Sequence, residues 1–159
     1  MAFPEGLTPA QLLFPDLDEE FASTRRMLAI VPEGKNAFRP DDKSRTLGEL
    51  AGHIAELPAF GASVLATNEF DFAKVPWHTQ QFVETSGLLE EFDRNAATFQ
   101  SGIDAATWGA LDERWTLRAG EHVIVEEQKA KLLRSITLSH ISHHRLTSRR
   151  RRPPALNFP

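Results

Sequence analysis

Apolar residues recur along this chain at steps of three and four, the spacing that predicts amphipathic helices. Phe14, Leu17, Phe21, Thr24, Leu28 and Val31 share one face, so a first helix is expected from Leu17 to Val31, stopped by Pro32. Asp16 reads as its cap, and Asp18, Glu19 and Glu20 lie at the positive end of its dipole. The stretch 32-PEGKNAFRPDDKSR-45 has the Pro, Gly and charge of a loop. A second helix opens at Thr46, which stands three residues before Glu49 in the spacing of a capping box. Leu50, Ile54, Leu57, Phe60 and Val64 then gather on one side, with His53 at the edge of that stripe. Pro58 removes an amide donor and is expected to kink or divide this helix near Leu57.

Residues 67–78 read as a connection, and a third helix is expected over 79–103 with a seam of Leu89, Phe92, Ala96, Phe99 and Ile103. Trp108, Trp115 and the TLRAGEH stretch suggest a loop packed on the helices and turning at Gly120. Strand-like alternation is confined to short pieces such as 122-HVIV-125. The last helix is expected to begin between Val125 and Gln128 and to run through Arg145, with Ala130, Leu133, Ile136 and Ile141 inward. Four such helices predict an all-α fold, an antiparallel four-helix bundle, with an irregular helical domain as the alternative.

Composition narrows the chemistry. With 159 residues and 41% hydrophobic positions, the chain suits one domain with a real core. It contains no cysteine and no tyrosine, which removes disulfides, thiolate ligands, a cysteine nucleophile and a phenolic acid. A net charge of −4 gives no general case for nucleic acid or an anionic membrane. No signal-peptide pattern or long apolar run is seen, so a cytoplasmic protein is expected. The basic run 149-RRRR-152, followed by Pro153 and Pro154, divides the chain into a helical domain over 1–148 and a tail over 149–159. An exposed tail of this kind binds anions weakly. Nucleic-acid binding is disfavoured, because no aromatic-interleaved surface or zinc-finger spacing accompanies the arginines.

The informative stretch is 137-TLSHISHHR-145. His140 and His144 are four residues apart on the expected last helix, about 40° apart around its axis and roughly 6 Å apart at their Cβ atoms. An i,i+4 pair converges two imidazole nitrogens on one ion. His53 is the best third ligand, because its own helix turns it toward the same interior. Spacing alone leaves this reading open beside ordinary hydrogen bonding or solvated polarity. His143 falls nearer the edge, and His78 and His122 look loop-bound. Glu49 and Glu56 flank His53 in positions that fit solvation at least as well as contact with a ligand.

The segments 17-LDEEFASTRRMLAIVP-32, 46-TLGELAGHIAELPAF-60, 111-LDERWTLRAGE-121 and 136-ITLSHISHHR-145 together resemble the DinB-like (DinB/YfiT) superfamily of metal-binding four-helix proteins. The resemblance spans residues 14–145. It implies an up-down-down-up bundle in which His53, His140 and His144 hold a divalent metal ion, Zn or Ni foremost. Relatives include metal-dependent thiol transferases and thiol-dependent isomerases, and a homodimer is compatible with the resemblance. After Arg145 the text LTSRRRRPPALNFP departs from the family's usual Gln-Leu and Tyr-Leu-Arg continuation. That departure alters the segment expected to complete the distal core and any contacts made there.

The expected function is transfer of a low-molecular-weight thiol to a small electrophile. The sulfur must come from a substrate, since the chain has no cysteine. No residue is assigned as a general base. The alternatives are a non-catalytic, stress-associated metal-binding protein and a metal-dependent hydrolase.

Overall fold

A computed structural model describes residues 6–75, 77 and 81–144. The expected tail over 149–159, its boundary at 148, and His78 lie outside the described residues.

The chain opens with a short helix, α1 (Pro9–Leu13), capped by Thr8. Helix α2 (Leu17–Leu28) follows on the expected face, burying Leu17, Phe21, Thr24 and Leu28. Asp16 stands at its N-cap but makes no side-chain capping bond. Its Oδ1 instead accepts from Arg134 Nη1 at 2.7 Å, which ties α2 to the C-terminal helical run and holds the Asp16 carboxyl below its ordinary range.

Helix α3 (Leu47–Ala66) starts with the predicted capping box. The Thr46 amide donates to Glu49 Oε2 at 2.7 Å, and the Glu49 amide donates to Thr46 Oγ1 at 3.1 Å. It runs unbroken through Pro58. Pro58 leaves the Ile54 carbonyl without its backbone donor, and a neighbouring helix braces the adjoining turn from outside. Asn95 Nδ2 donates to the Ala55 carbonyl at 3.0 Å. Asn95 belongs to α4 (Thr85–Asp104), which packs along α3 and also meets α2. Phe14, Phe21, Phe92 and Phe99 lock this centre through edge-to-face contacts with ring centroids 5.8 to 6.0 Å apart.

The all-α expectation fails. A strand between α3 and α4, β1 (Glu69–Asp71), joins two strands that follow α5 (Trp108–Asp112), β2 (Arg114–Ala119) and β3 (His122–Gln128), in a genuine sheet. Their order is β1-β2-β3, with β1 parallel to β2 and β2 antiparallel to β3. The fold is therefore mostly helical with a mixed three-stranded sheet, and not a four-helix bundle. In β2, Trp115 is fully buried and donates its Nε1–H to Thr67 Oγ1 at 3.1 Å. The hairpin turns at Gly120, whose φ of 62° suits a two-residue turn with glycine first. Asp71 seals that turn by accepting from the Gly120 amide at 2.8 Å and the Ala73 amide at 2.9 Å.

The residues expected to open the last helix are spent on β3, so α6 begins only at Lys129 (Lys129–Leu132). The run then widens into a π-helical segment, Leu133–Ser139, and returns to α-helical form over 140–144. The wider turn changes which side chains face inward. Leu133 and Ile141 are buried as expected, while Leu132, Thr137 and Leu138 join them. The π-helical segment packs on α3 at Gly61. A Cβ there would lie 2.6 Å from Thr137 Oγ1 and 2.7 Å from the Phe99 ring, so glycine is what permits this approach. Among the described residues, no helix is long and apolar enough to cross a membrane.

Candidate metal centre

Two helices supply the histidines. Helix α3 sets His53, Glu56, Leu57 and Phe60 at i, i+3, i+4 and i+7, one continuous face. The α-helical turn over 140–144 restores the i,i+4 relation between His140 and His144 that the preceding π segment lacks. A hydrogen bond from Ser142 Oγ to Glu20 Oε2 at 2.8 Å anchors this turn to α2.

The three rings converge. Ring centroids lie 5.3 Å apart for His53 and His140, 4.9 Å for His53 and His144, and 4.5 Å for His140 and His144. One nitrogen from each lies within 4.8 Å of the other two, and the Nε2 atoms of His140 and His144 are 2.7 Å apart. Metal–nitrogen bonds of about 2.0–2.1 Å put donors on a common ion roughly 2.9–4.1 Å apart. At 2.7 Å the His140 and His144 nitrogens need to spread slightly to share an ion. Three imidazoles form the borderline donor set that suits a first-row divalent ion, and three protein ligands leave coordination positions open. The cluster fits a metal.

Charge state favours the same use. Burial, then the positive field of Arg45 and the other two histidines, pushes the His53 imidazole down to about 3. His140 is also lowered, by burial and by His143 and Arg45, against a raising hydrogen bond to the Ile136 backbone. Both rings are therefore neutral near pH 7, the form that binds metal.

His143 is exposed and outside the cluster, with its ring 5.3 Å from that of His144. His122 sits at the exposed start of β3, not in a loop, and takes no part in the cluster.

A cleft of about 400 Å³ adjoins His53 and His140. Leu57 and Phe60 of α3, Ile136 of the π segment, Phe72 and Leu117 of the sheet side, and Trp77 form its apolar walls. Arg45 and Glu56 are its other polar lining. Of the two readings left open for Glu56, solvation is not the one found. It is 7% exposed, and its Oε2 accepts from Trp77 Nε1 at 3.1 Å. The sequence reading missed this half of the site. Phe72, Trp77 and Leu117 sit in stretches read as connections. Leu117 and Trp115 alternate with Arg114, Thr116 and Arg118, a strand signal that was available. Arg45 ends a loop whose path no local pattern specifies.

The molecule thus carries a clustered histidine triad capable of binding metal, beside a cleft of small-molecule size. Comparisons with family models, with curated proteins and with solved structures find no match, so the geometry of these residues carries the functional reading.

Proposed function

We propose that His53, His140 and His144 hold one divalent ion, zinc or nickel, and that the chain is a metal-dependent enzyme transferring a small thiol to an electrophile. The observation that carries this reading is the convergence of the three imidazoles at the edge of a largely apolar cleft. A structural zinc site is normally closed by four protein ligands. Three histidines at a cleft leave room for an exchangeable ligand, which favours chemistry over a purely structural role. The resemblance of the His53 and His140-xxx-His144 elements to the DinB-like superfamily supports the thiol assignment.

When bound, such an ion supplies Lewis acidity that makes a thiol sulfur nucleophilic at neutral pH. The chain's own residues do the rest. The imidazoles hold and orient the ion in their neutral form. Leu57, Phe60, Phe72, Trp77, Leu117 and Ile136 remove the electrophile from bulk water and position it beside the histidines. Glu56, fixed by Trp77, is a carboxylate in the same cleft that can accept a proton. The sulfur arrives with the second substrate, because the chain has no cysteine.

The test couples metal content to activity in one preparation. Purified protein is stripped with a chelator, reloaded with zinc or nickel, and assayed against a panel of small thiols and electrophiles. One ion per chain and conjugation that follows metal loading are expected. Stoichiometric metal without metal-dependent turnover would leave the protein as a non-catalytic metal binder. Failure to bind either ion would remove the centre.

A further inference from the structure

The cleft beside the histidines has a chemical polarity of its own. Its walls include three aromatic side chains, Phe60, Phe72 and Trp77, linked to one another through Phe70. Phe60 and Trp77 meet edge to face at 5.4 Å, Phe70 lies against Trp77 at 5.8 Å, and Phe72 lies against Phe70 at 5.2 Å. An enclosure of about 400 Å³ with such walls suits a flat, apolar body.

Arg45 also lines this cleft. Among the described residues no close salt bridge joins Arg45 to a carboxylate, although its charge acts on Glu49 and His53. Most other arginines described here are paired with an acidic side chain: Arg25 with Asp93, Arg94 with Glu91, Arg114 with Glu126, Arg118 with Glu69, Arg134 with Asp16. A guanidinium offers a planar fork of donors matched to a carboxylate. Glu56 sits in the same cleft with one oxygen occupied by Trp77. The two coplanar oxygens of a carboxylate match that planar fork, so the carboxylate is the better match.

We infer that the cleft binds a small aromatic carboxylate, its ring against Phe60, Phe72 and Trp77 and its carboxylate on Arg45. Resting on the metal-dependent reading above, this names the class of the acceptor substrate: an aromatic acid with an unsaturated carbon on the histidine side. There the thiol S–H adds across the double bond, sulfur to one carbon and proton to its neighbour, and no group leaves. The cleft itself is made by side chains outside the triad as well as by His53 and His140, so ligand binding is measurable apart from metal.

Titration calorimetry of the full chain with 2-naphthoate and with its neutral counterpart 2-naphthamide tests the inference. Metal-free and zinc-loaded protein are both titrated, for the wild type and for Arg45→Gln. Arg45 is exposed, so its replacement leaves the fold intact. The wild type should bind the acid about tenfold more tightly than the amide, the scale of one charge-assisted contact. Arg45→Gln should remove that preference and leave the amide's affinity unchanged. Equal affinities in the wild type, or no binding of either compound, overturn the inference. A preference that appears only with zinc and survives Arg45→Gln also overturns it, since the acid then sits on the metal and the metal reading stands. An Arg45-dependent preference in a protein that takes up no zinc supports the cleft and defeats the metal reading.

Discussion

Lys129 and the histidine triad are two ways of placing nitrogen against the core. The Lys129 side chain is 4% exposed, and its ammonium donates to Asn68 Oδ1 at 2.9 Å and Glu113 Oε2 at 3.0 Å. Its backbone amide donates to the Glu113 carbonyl at 2.9 Å. The cation is matched on the spot, and the match pins α6 to the segment between α5 and β2. The histidines are arranged otherwise. Their nitrogens point at one another, at the margin of a cleft, in an environment that suppresses charge on His53 and His140. A closed polar cluster holds elements together, whereas converging neutral imidazoles beside open space suit a ligand from outside.

The sharpest way to break this contrast is to delete a donor. His53→Ala, His140→Ala and His144→Ala should each lower zinc affinity by more than about 100-fold, since removing even a group that merely orients a ligand costs 10–100-fold. Chelator competition measures this directly. Undiminished zinc binding in all three variants would return the cluster to ordinary polar packing.

Gly61→Ala probes the joint between the two histidine-bearing helices. The added methyl meets Thr137 and Phe99 well inside contact distance, and overpacking of this kind costs about 1–3 kcal/mol. Because α3 carries His53 and the segment it displaces leads into His140, zinc affinity should fall along with thermal stability. A stability loss with unchanged zinc affinity would show that the triad tolerates movement of the joint.

The two regions also differed in how far the sequence revealed them. His53 could be placed because Leu50, Ile54, Leu57 and Phe60 define a helix by themselves, and His140 and His144 because i,i+4 spacing survives in the final α-helical turn. The sheet was hidden by its partial cover. Val123 and Ile124 of β3 remain 43% and 49% exposed, and Leu117 pairs with Val125 but Arg118 with Val123. Ile124 is thus an extra residue in the ladder, and it spoils the period-two alternation that marks a strand. The π segment was hidden for another reason. A helix of wider turn arises from tertiary fit, here Thr137 against Gly61 and Phe99, which a wheel of fixed period cannot anticipate.

Lys129→Met supplies the opposite control. It keeps the apolar stem and deletes the cation. Asn68 is exposed and the Glu113 side chain is 53% exposed, so both partners regain water and the cost should be only about 1 kcal/mol. Zinc affinity should not change. A fall in zinc affinity comparable to that of a histidine variant would erase the distinction between the two clusters.

The last contrast is one of pH, read on metal-free protein by thermal unfolding. In the unfolded chain His53 titrates near the ordinary value of 6.5, whereas in the folded protein it is pushed down to about 3. Between those values the unfolded state binds the proton and the folded state does not, so acid favours unfolding. The stability associated with a neutral His53 is complete above 6.5 and is lost progressively as pH falls toward 3. His140, also lowered, adds a slope of the same sign. His53→Gln cannot take up that proton, and its unfolding temperature should fall less steeply with acid than that of the wild type. Lys129→Met leaves the histidines in place and should retain the wild-type slope. Parallel slopes in wild type and His53→Gln would mean that His53 is charged in the folded protein as readily as in the unfolded chain, and the buried neutral triad would lose its electrostatic basis.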